Sequence, residues 1–429
     1  MTQSGPPLSP AALSSVVRGM APSATLGINE RSNALMAAGS KVYKFGLGQS
    51  PFPVPPSVVG ALQAAAGEKD YLPVRGLRAL QESVARYLTR RIGMDRGASQ
   101  VIIGPGSKEL MFIVQLALDA ELLVPNPSWV SYVPQARLLG RDHRWLETDL
   151  SNGWKLTAES LDEHCAKNSG RPRLLILNYP NNPTGVTYDD AELADIAIVA
   201  RQHGVLVLSD EIYADIHHRG AHCSIATHYP EGTIVSTGLS KWAGAGGWRL
   251  GLVSFPAELE WLAAAVAAVA SETFTSVSAP IQYAAITAFD GGPEIEDYLS
   301  HCRKILALLG RYCAATLCAA GAIVAEPDGA FYLFPDFSPL RARLASRGRA
   351  TSADFTEMLL SDTGVATLPG TAFGRPESEL TLRLSYVNFD GAAALAAAQA
   401  GGVLDEQFLR LHCPDSVEAI NRMAEWSSH

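Results

Sequence analysis

A chain of 429 residues that is 47% hydrophobic and 18% charged reads as a globular protein with one large core and a second unit. Its formal net charge of −9 leaves no basic stripe for phosphates, which argues against a nucleic-acid partner. The most apolar stretch, WLAAAVAAVA (261–270), is about half the ~20 residues of a bilayer span, and MTQSGPPLSP at the start has no basic segment followed by an apolar one. No membrane contact and a cytoplasmic location are therefore expected.

Residues 1–17 are Pro- and Ser-rich and read as a loose arm. A helix is expected over 28–39, then a strand at VYKFGLG that runs into QSPFPVPP, whose four prolines forbid a helix and mark a joining turn. From about 57 to 290, QVIIG, AELLVP, RLLILN, GVLVLS, TIVSTG and LGLVSF are apolar runs of strand length. Amphipathic stretches such as DDAELADIAIVARQHG (189–204) separate several of them. Continuous apolar strands imply a sheet buried on both faces, hence a largely parallel α/β sheet. After 300 come a long helical segment (294–320), GAFYLFP, another helix, GVATLP and TLRLSYV, which form a smaller α+β unit. The division expected is a large unit, 53–299, and a small one built from 18–52 and 300–429. DGAAALAAAQAGG (390–402) is expected to be an insertion or weak helix. Six cysteines lack CxxC spacing and read as reduced thiols, with Cys313 and Cys318 as core filler and no metal site.

In open α/β sheets, ligands bind beyond the carboxyl ends of the strands, and the unusual polar residues fall there. VIIG runs into PGSKEL, LLVP into NPSW, LLILN into YPNNPTG, VLVLS into DEIY and IVSTG into LSK. Lys241, in TGLSKWAGAGGWRLG, is set among small and apolar residues. Desolvation there would depress its pKa and free the lone pair that a Schiff-base amine needs; an ordinary structural lysine is the other reading. Arg249, eight positions on, can hold an anion.

GLSKWAGAGGWRLG resembles the pyridoxal-phosphate attachment segment of class I/II aminotransferases. NNPTG (181–185), DEIY (210–213), NPSWVSY (126–132), YLPVRG (71–76) and TLRLSY (381–386) are similar, in order and spacing, to segments of the same fold-type I enzymes. The likeness runs from about residue 20 to 388. It implies a large unit with a mostly parallel seven-stranded sheet, a small α+β unit, pyridoxal 5'-phosphate as cofactor and an amino acid and a 2-oxo acid as substrates. It implies further that Lys241 attaches the cofactor and shuttles the proton. Asp210 would face the pyridine nitrogen and keep it protonated, though an aspartate after a strand also caps helices. Asn182 and Tyr213 would hydrogen-bond the ring oxygen, and Trp129 would stack on the ring; a turn, a core tyrosine and a packing tryptophan are the plainer alternatives. Backbone N–H groups of Gly106, Ser107 and Lys108 would meet the phosphate at a helix start, joined by Arg249 and by Tyr71 from a neighbouring subunit, hence a homodimer. Arg383 would pair with the substrate α-carboxylate. Gly48 would let backbone approach the substrate, and Thr25 with Lys108 would meet a side-chain carboxylate, as in bacterial-type aspartate aminotransferases.

Several positions depart from the family pattern. Gly238 stands where a serine is common three residues before the lysine, with Ser236 or Ser240 as candidates to compensate. QSP (49–51) replaces Glu-Pro-Asp, and the segment between QLAL and VPNPSW is short. These leave two alternatives: a lyase of the same fold, similar to aminocyclopropane-carboxylate synthases, or an aminotransferase for aromatic or aliphatic donors that uses Trp129, Tyr132 and the QSPF loop.

Overall fold

The apolar runs of the sequence become one seven-stranded sheet in a computed structural model that describes residues 10–167, 170–345 and 351–428. Most of the expected N-terminal arm lies outside the described residues. Helix α1 (Ala24–Ala37) begins four residues ahead of the expected 28–39, because Pro22–Ser23 already turns the chain. Thr25 thus sits in a first helical turn and not on a loop. Strand β1 (Tyr43–Lys44) is shorter than expected and pairs in parallel with Val365–Ala366. Gly46 and Gly48 interrupt the run where Ile28 and Tyr332 press against the backbone.

Helices α2 (Pro56–Ala65) and α3 (Arg78–Ile92) lead into β2 (Val101–Gly104), α4 (Ser107–Ala117), β3 (Glu121–Asn126), α5 (Tyr132–Leu138) and β4 (His143–Glu147). After them come α6 (Ala158–Lys167), β5 (Arg173–Asn178), α7 (Asp190–Gln202), β6 (Leu206–Asp210), β7 (Thr233–Gly238) and β8 (Gly251–Ser254). The sheet order is β2-β8-β7-β6-β5-β3-β4. Strand β8 runs antiparallel to both neighbours and every other pairing is parallel. Six strands answer the apolar runs. The seventh, β4, is HRWLE at the edge, where only Leu146 is buried and the apolar signature fades.

Alternate residues of one strand feed opposite cores, as the two-residue period of a strand requires. Leu174 and Ile176 pack under α4 and α8 (Glu260–Glu272), while Leu175 and Leu177 pack under α6 and α7. Helix α7 starts on a capping box, in which Asp189 accepts from the Glu192 N–H and the Glu192 carboxylate accepts from the Asp189 N–H. Helices α9 (Ala279–Asp290) and α10 (Pro293–Ala319) then carry the chain away from the sheet.

Beyond them, β9 (Tyr332–Leu333), α11 (Arg341–Ala345), α12 (Ser352–Thr363), β10 (Val365–Ala366), β11 (Leu368–Pro369) and β12 (Leu382–Ser385) surround a second, antiparallel sheet of order β11-β12-β9. The Ala-rich segment forms α13 (Gly391–Gln399). Asp390 caps it by accepting from the N–H groups of Ala392 and Ala393. Its start lies so close to the Pro51–Phe52 backbone that a Cβ on Gly391 would be 2.1 Å from the Pro51 oxygen. Helices α14 (Glu406–His412) and α15 (Pro414–Ser428) end the chain. Cys313 is buried as expected, but Cys318 is exposed on the outer face of α10 and is no core filler. Among the described residues no His, Cys, Asp or Glu cluster could hold a metal, and no helix is long and apolar enough to cross a membrane.

Candidate active site

Strands β5, β6 and β7 and the turn from β2 into α4 end around one cavity of about 290 Å³. Ser107, Lys108, Trp129, Asn182, Asp210, Tyr213, Lys241 and Arg249 all line it, together with Tyr132, Asn178, Ile212 and Ser240. Eight of the residues named from the sequence thus converge from five separate segments.

Lys241 follows β7, and its Nζ donates to the Gly48 carbonyl at 2.6 Å. The amine also lies 5.7 Å from the Tyr213 ring centre and 5.8 Å from that of Phe331. Burial lowers its pKa to about 8, helped by the nearby Arg383 guanidinium and opposed by Asp210.

Asp210 ends β6, 3% exposed, and accepts from the Tyr132 hydroxyl at 2.5 Å. Burial raises its pKa to about 6 even though that hydrogen bond pulls the other way. Its neighbour Glu211 faces the opposite side of the sheet. There Glu211 accepts from the hydroxyls of Ser209 (2.8 Å), Ser224 (2.6 Å) and Tyr179 (3.3 Å), with His222 Nε2 at 2.8 Å. Asn178 ties the strand ends together. It donates to the Asp210 carbonyl at 2.8 Å and accepts from the Asn182 N–H at 2.7 Å, which fixes the NNPTG turn.

The start of α4 is packed by glycines. Gly106 has φ +94°, and a Cβ there would lie 2.2 Å from Arg249 Nη2. Its N–H already donates to the Gly104 carbonyl at 2.7 Å. Gly106 also gives room to the guanidinium, while Ser107 and Lys108 present first-turn N–H groups at the start of α4. Arg249 itself has φ +54°, a left-handed conformation that costs a non-glycine residue about 1–3 kcal/mol. It donates to the carbonyls of Gly246 (2.9 Å) and Pro105 (3.1 Å). Gly238, where the family commonly has serine, pairs with Gly251. A Cβ on Gly238 would sit 2.8 Å from both the Gly251 Cα and the Leu250 oxygen, and one on Gly251 would sit 2.3 Å from the Ser107 nitrogen. Packing imposes glycine there. Of the two candidates to compensate, Ser240 lines the cavity, whereas the Ser236 hydroxyl is buried without a partner and away from it.

Arg383 on β12 is 1% exposed. It donates to Asn182 Oδ1 at 3.3 Å and to the Gly46 carbonyl, while its Nε is buried with no partner. Its guanidinium lies 4.9 Å from the Tyr332 ring centre. Lys108 Nζ lies 5.0 Å from the Trp129 ring, and burial lowers its pKa, as does Arg249. Among the described residues, none of Lys108, Lys241, Arg249 and Arg383 has a carboxylate within 4.0 Å.

Two named residues stay outside this constellation. Thr25 does not line the cavity, and its buried hydroxyl has no partner. Its neighbours Ser23 and Ala24 instead join Lys108, Phe112 and Leu138 around an adjoining, more apolar cavity of about 520 Å³. Tyr71 is 91% exposed and meets no other site residue within the chain. Conversely, Tyr132 was named only for an aromatic or aliphatic donor and not as a partner of Asp210, and Tyr332 was not read as a site residue. Aromatic residues in apolar runs look like core, and nothing in their spacing marks a hydroxyl turned toward Asp210 or Tyr213.

A lysine-bearing loop after a strand of a mostly parallel sheet, an acid at the neighbouring strand end and cations without a carboxylate partner beside a helix start define a class of nitrogen-transferring enzymes. Residues 40–400 match the model of the family "Aminotransferase class I and II", and the chain belongs to that family. Aspartate aminotransferase of Geobacillus stearothermophilus is 34% identical over 388 residues, covering 86% of this chain and 93% of that one. A probable N-acetyl-LL-diaminopimelate aminotransferase of Bacillus subtilis (strain 168) is 33% identical over 366 residues, 84% of this chain and 88% of its own. The solved aspartate aminotransferase from Thermus thermophilus with maleate superposes with a TM-score of 0.82 at 28% identity, covering 96% of this chain and 99% of that one. The protein is an aminotransferase, and the expected α/β architecture with its seven-stranded sheet holds.

Proposed function

We propose that the protein uses pyridoxal 5'-phosphate to move an amino group from an L-amino acid to a 2-oxo acid by a ping-pong route, with an acidic, aspartate- or glutamate-type substrate. The observation that carries this is the set of cations at one cavity, Lys108, Lys241 and Arg249 in its lining and Arg383 beside it, none with a carboxylate of the described chain within 4.0 Å. Arg249, packed on the start of α4, suits a phosphate, and the Lys108 side chain suits a second substrate carboxylate. Arg383 suits a substrate carboxylate, and the amine of Lys241 is neutral enough near pH 8 to attach the cofactor. The remaining groups fit as well: Asp210 for the pyridine nitrogen, Asn182 and Tyr213 for the ring oxygen, Trp129 for the ring face. When bound, the cofactor supplies an electron sink for the bond to Cα.

The chain's residues do the rest. Arg383 orients the α-carboxylate through its planar fork while the Gly48 backbone keeps close to the substrate. The Gly48 carbonyl offers the Lys241 amine a resting partner when it is free, and Lys241 takes the proton from Cα and returns it. Lys108, with Thr25 drawn in from α1, meets the second carboxylate. Tyr71 completes the phosphate site from a second subunit, so the working form is a homodimer. The reading includes the division into a large unit, 53–299, and a small one, 18–52 with 300–429, with the cavity at their junction.

A second reading, a bulky aromatic or aliphatic donor, is favoured by the apolar cavity beside Lys108. Half-reaction spectra separate the two. Each donor alone, without added oxo acid, should discharge the visible band, and acidic donors should do so best. Lys108→Met should weaken acidic donors by roughly 10- to 150-fold, the worth of one charge-assisted hydrogen bond, and leave neutral donors nearly unchanged. An equal loss for all donors, or none, overturns the acidic assignment.

A further inference from the structure

Tyr332 lies among the functional groups without belonging to the cavity lining. Its hydroxyl is 2.8 Å from the Tyr213 hydroxyl, its ring is the platform 4.9 Å beneath the Arg383 guanidinium, and the residue is 1% exposed. It also crowds Gly48, whose carbonyl holds Lys241: a Cβ on Gly48 would lie 2.0 Å from the Tyr332 oxygen.

The direction of the Tyr213–Tyr332 hydrogen bond follows from what surrounds it. Among the described residues, the Tyr332 hydroxyl has no acceptor other than the Tyr213 oxygen. If Tyr213 donated to Tyr332, the Tyr332 hydrogen would be buried without a partner, which is costly. If Tyr332 donates, its buried hydrogen is satisfied, the Tyr213 oxygen accepts it beside the Asn182 amide at 3.5 Å, and the Tyr213 hydrogen is left to point into the cavity that Tyr213 lines. The backbone holds this arrangement under strain. Ala330, two residues earlier, has φ +55°; its N–H donates to the Ile216 carbonyl at 3.2 Å, and its own carbonyl faces His218 Nε2 at 3.2 Å and the Tyr386 hydroxyl at 3.4 Å.

The geometry points to Tyr332 as a positioning residue: its hydroxyl donates to the Tyr213 oxygen and so keeps the Tyr213 proton aimed at the cofactor's ring oxygen. The inference rests on the pyridoxal-phosphate reading above. A hydroxyl that accepts one hydrogen bond donates its own more strongly, by about 10–30% per bond. A stronger donor to the ring oxygen stabilises negative charge there and lowers the proton affinity of the attached chromophore. Loss of the Tyr332 hydroxyl must therefore raise the pH midpoint of the visible absorbance.

The test uses the loaded enzyme without substrate. Tyr332→Phe keeps the ring under Arg383, so it should retain a visible band that borohydride fixes on Lys241. Its absorbance midpoint should move up by roughly 0.1–0.7 units, with KM for the amino donor little changed. Tyr213→Phe should move the midpoint further in the same direction, and Tyr213→Phe/Tyr332→Phe should match Tyr213→Phe alone, because Tyr332 acts through Tyr213. An unchanged midpoint in Tyr332→Phe, or shifts that add in the double variant, overturns the proposal. Absence of a visible band in the wild-type protein with added cofactor sinks the cofactor reading itself, a distinguishable result. Should Tyr332→Phe fail to fold, Gly48→Ala displaces the same hydroxyl and must shift the midpoint upward; no shift there also overturns it.

Discussion

An ordinary lysine stays charged well past pH 8, while burial and Arg383 bring Lys241 down to about 8. Only the neutral amine is a nucleophile. In the protein without cofactor, reductive methylation of Lys241 should accelerate as pH rises through 8 and then level, while other lysines keep gaining toward ~10.4. Peptide mass spectrometry across a pH series reads this; a midpoint near 10 would show an unperturbed amine. The same shift has a sign for stability. The folded pKa is depressed, so this group's contribution is present above the unfolded pKa and is lost as pH falls through 8. Lys241→Met should therefore melt higher than the parent apoprotein at pH 7, though it cannot carry out the reaction. Single residues were legible in sequence where chemistry sets them in unlikely company, as with Lys241 among small residues or Asp210 beyond an apolar strand. The Tyr132 bond to Asp210 and the place of Tyr332 were not, because a buried phenol and a buried phenyl leave the same trace in a sequence.

At the scale of elements, the turn from β2 into α4 depends on three close backbone approaches, at Gly106, Gly238 and Gly251. A Cβ at Gly251 would press on the Ser107 nitrogen at 2.3 Å and push the start of α4 off the sheet. Overpacking of this kind costs about 1–3 kcal/mol. Gly251→Ala should lower Tm by a few degrees and weaken phosphate-bearing ligands more than pyridoxal, which lacks the phosphate. Equal weakening of both by titration would show that the turn does not serve an anion. The apolar strands announced themselves because both faces are covered. The edge strand β4 did not, since of HRWLE only Leu146 is buried. The Ala-rich segment was read as weak, yet α13 is held by the Asp390 cap and by contact with the Pro51–Phe52 backbone, neither of which its composition reveals.

For the whole molecule, Tyr71 stands out: a tyrosine of the expected site that is 91% exposed in the single chain. Leu13, Val16 and Met20 near the start of the described chain are exposed as well. In a dimer with shared sites, each site takes Lys241 from one chain and Tyr71 from the other. Mixing Lys241→Ala with Tyr71→Ala subunits should then restore about half the sites of the hybrid. Recovery absent from hybrids that form, by ultracentrifugation and assay, would place Tyr71 outside the site. The layer arrangement could be foreseen from the order of apolar runs, whereas a surface that awaits another copy looks in sequence like any other loop.

Asp210 and Glu211 are consecutive acids, and a strand alone has no mark that says which of them should face the cavity. Sliding β6 by one residue would exchange them. What prevents this lies on the far side of the sheet, where three hydroxyls and an imidazole close on Glu211 as a keyway closes on its key. Aspartate, one carbon shorter, cannot reach all four partners from the same backbone. The acid on the far side of the sheet thereby decides which acid faces the cavity.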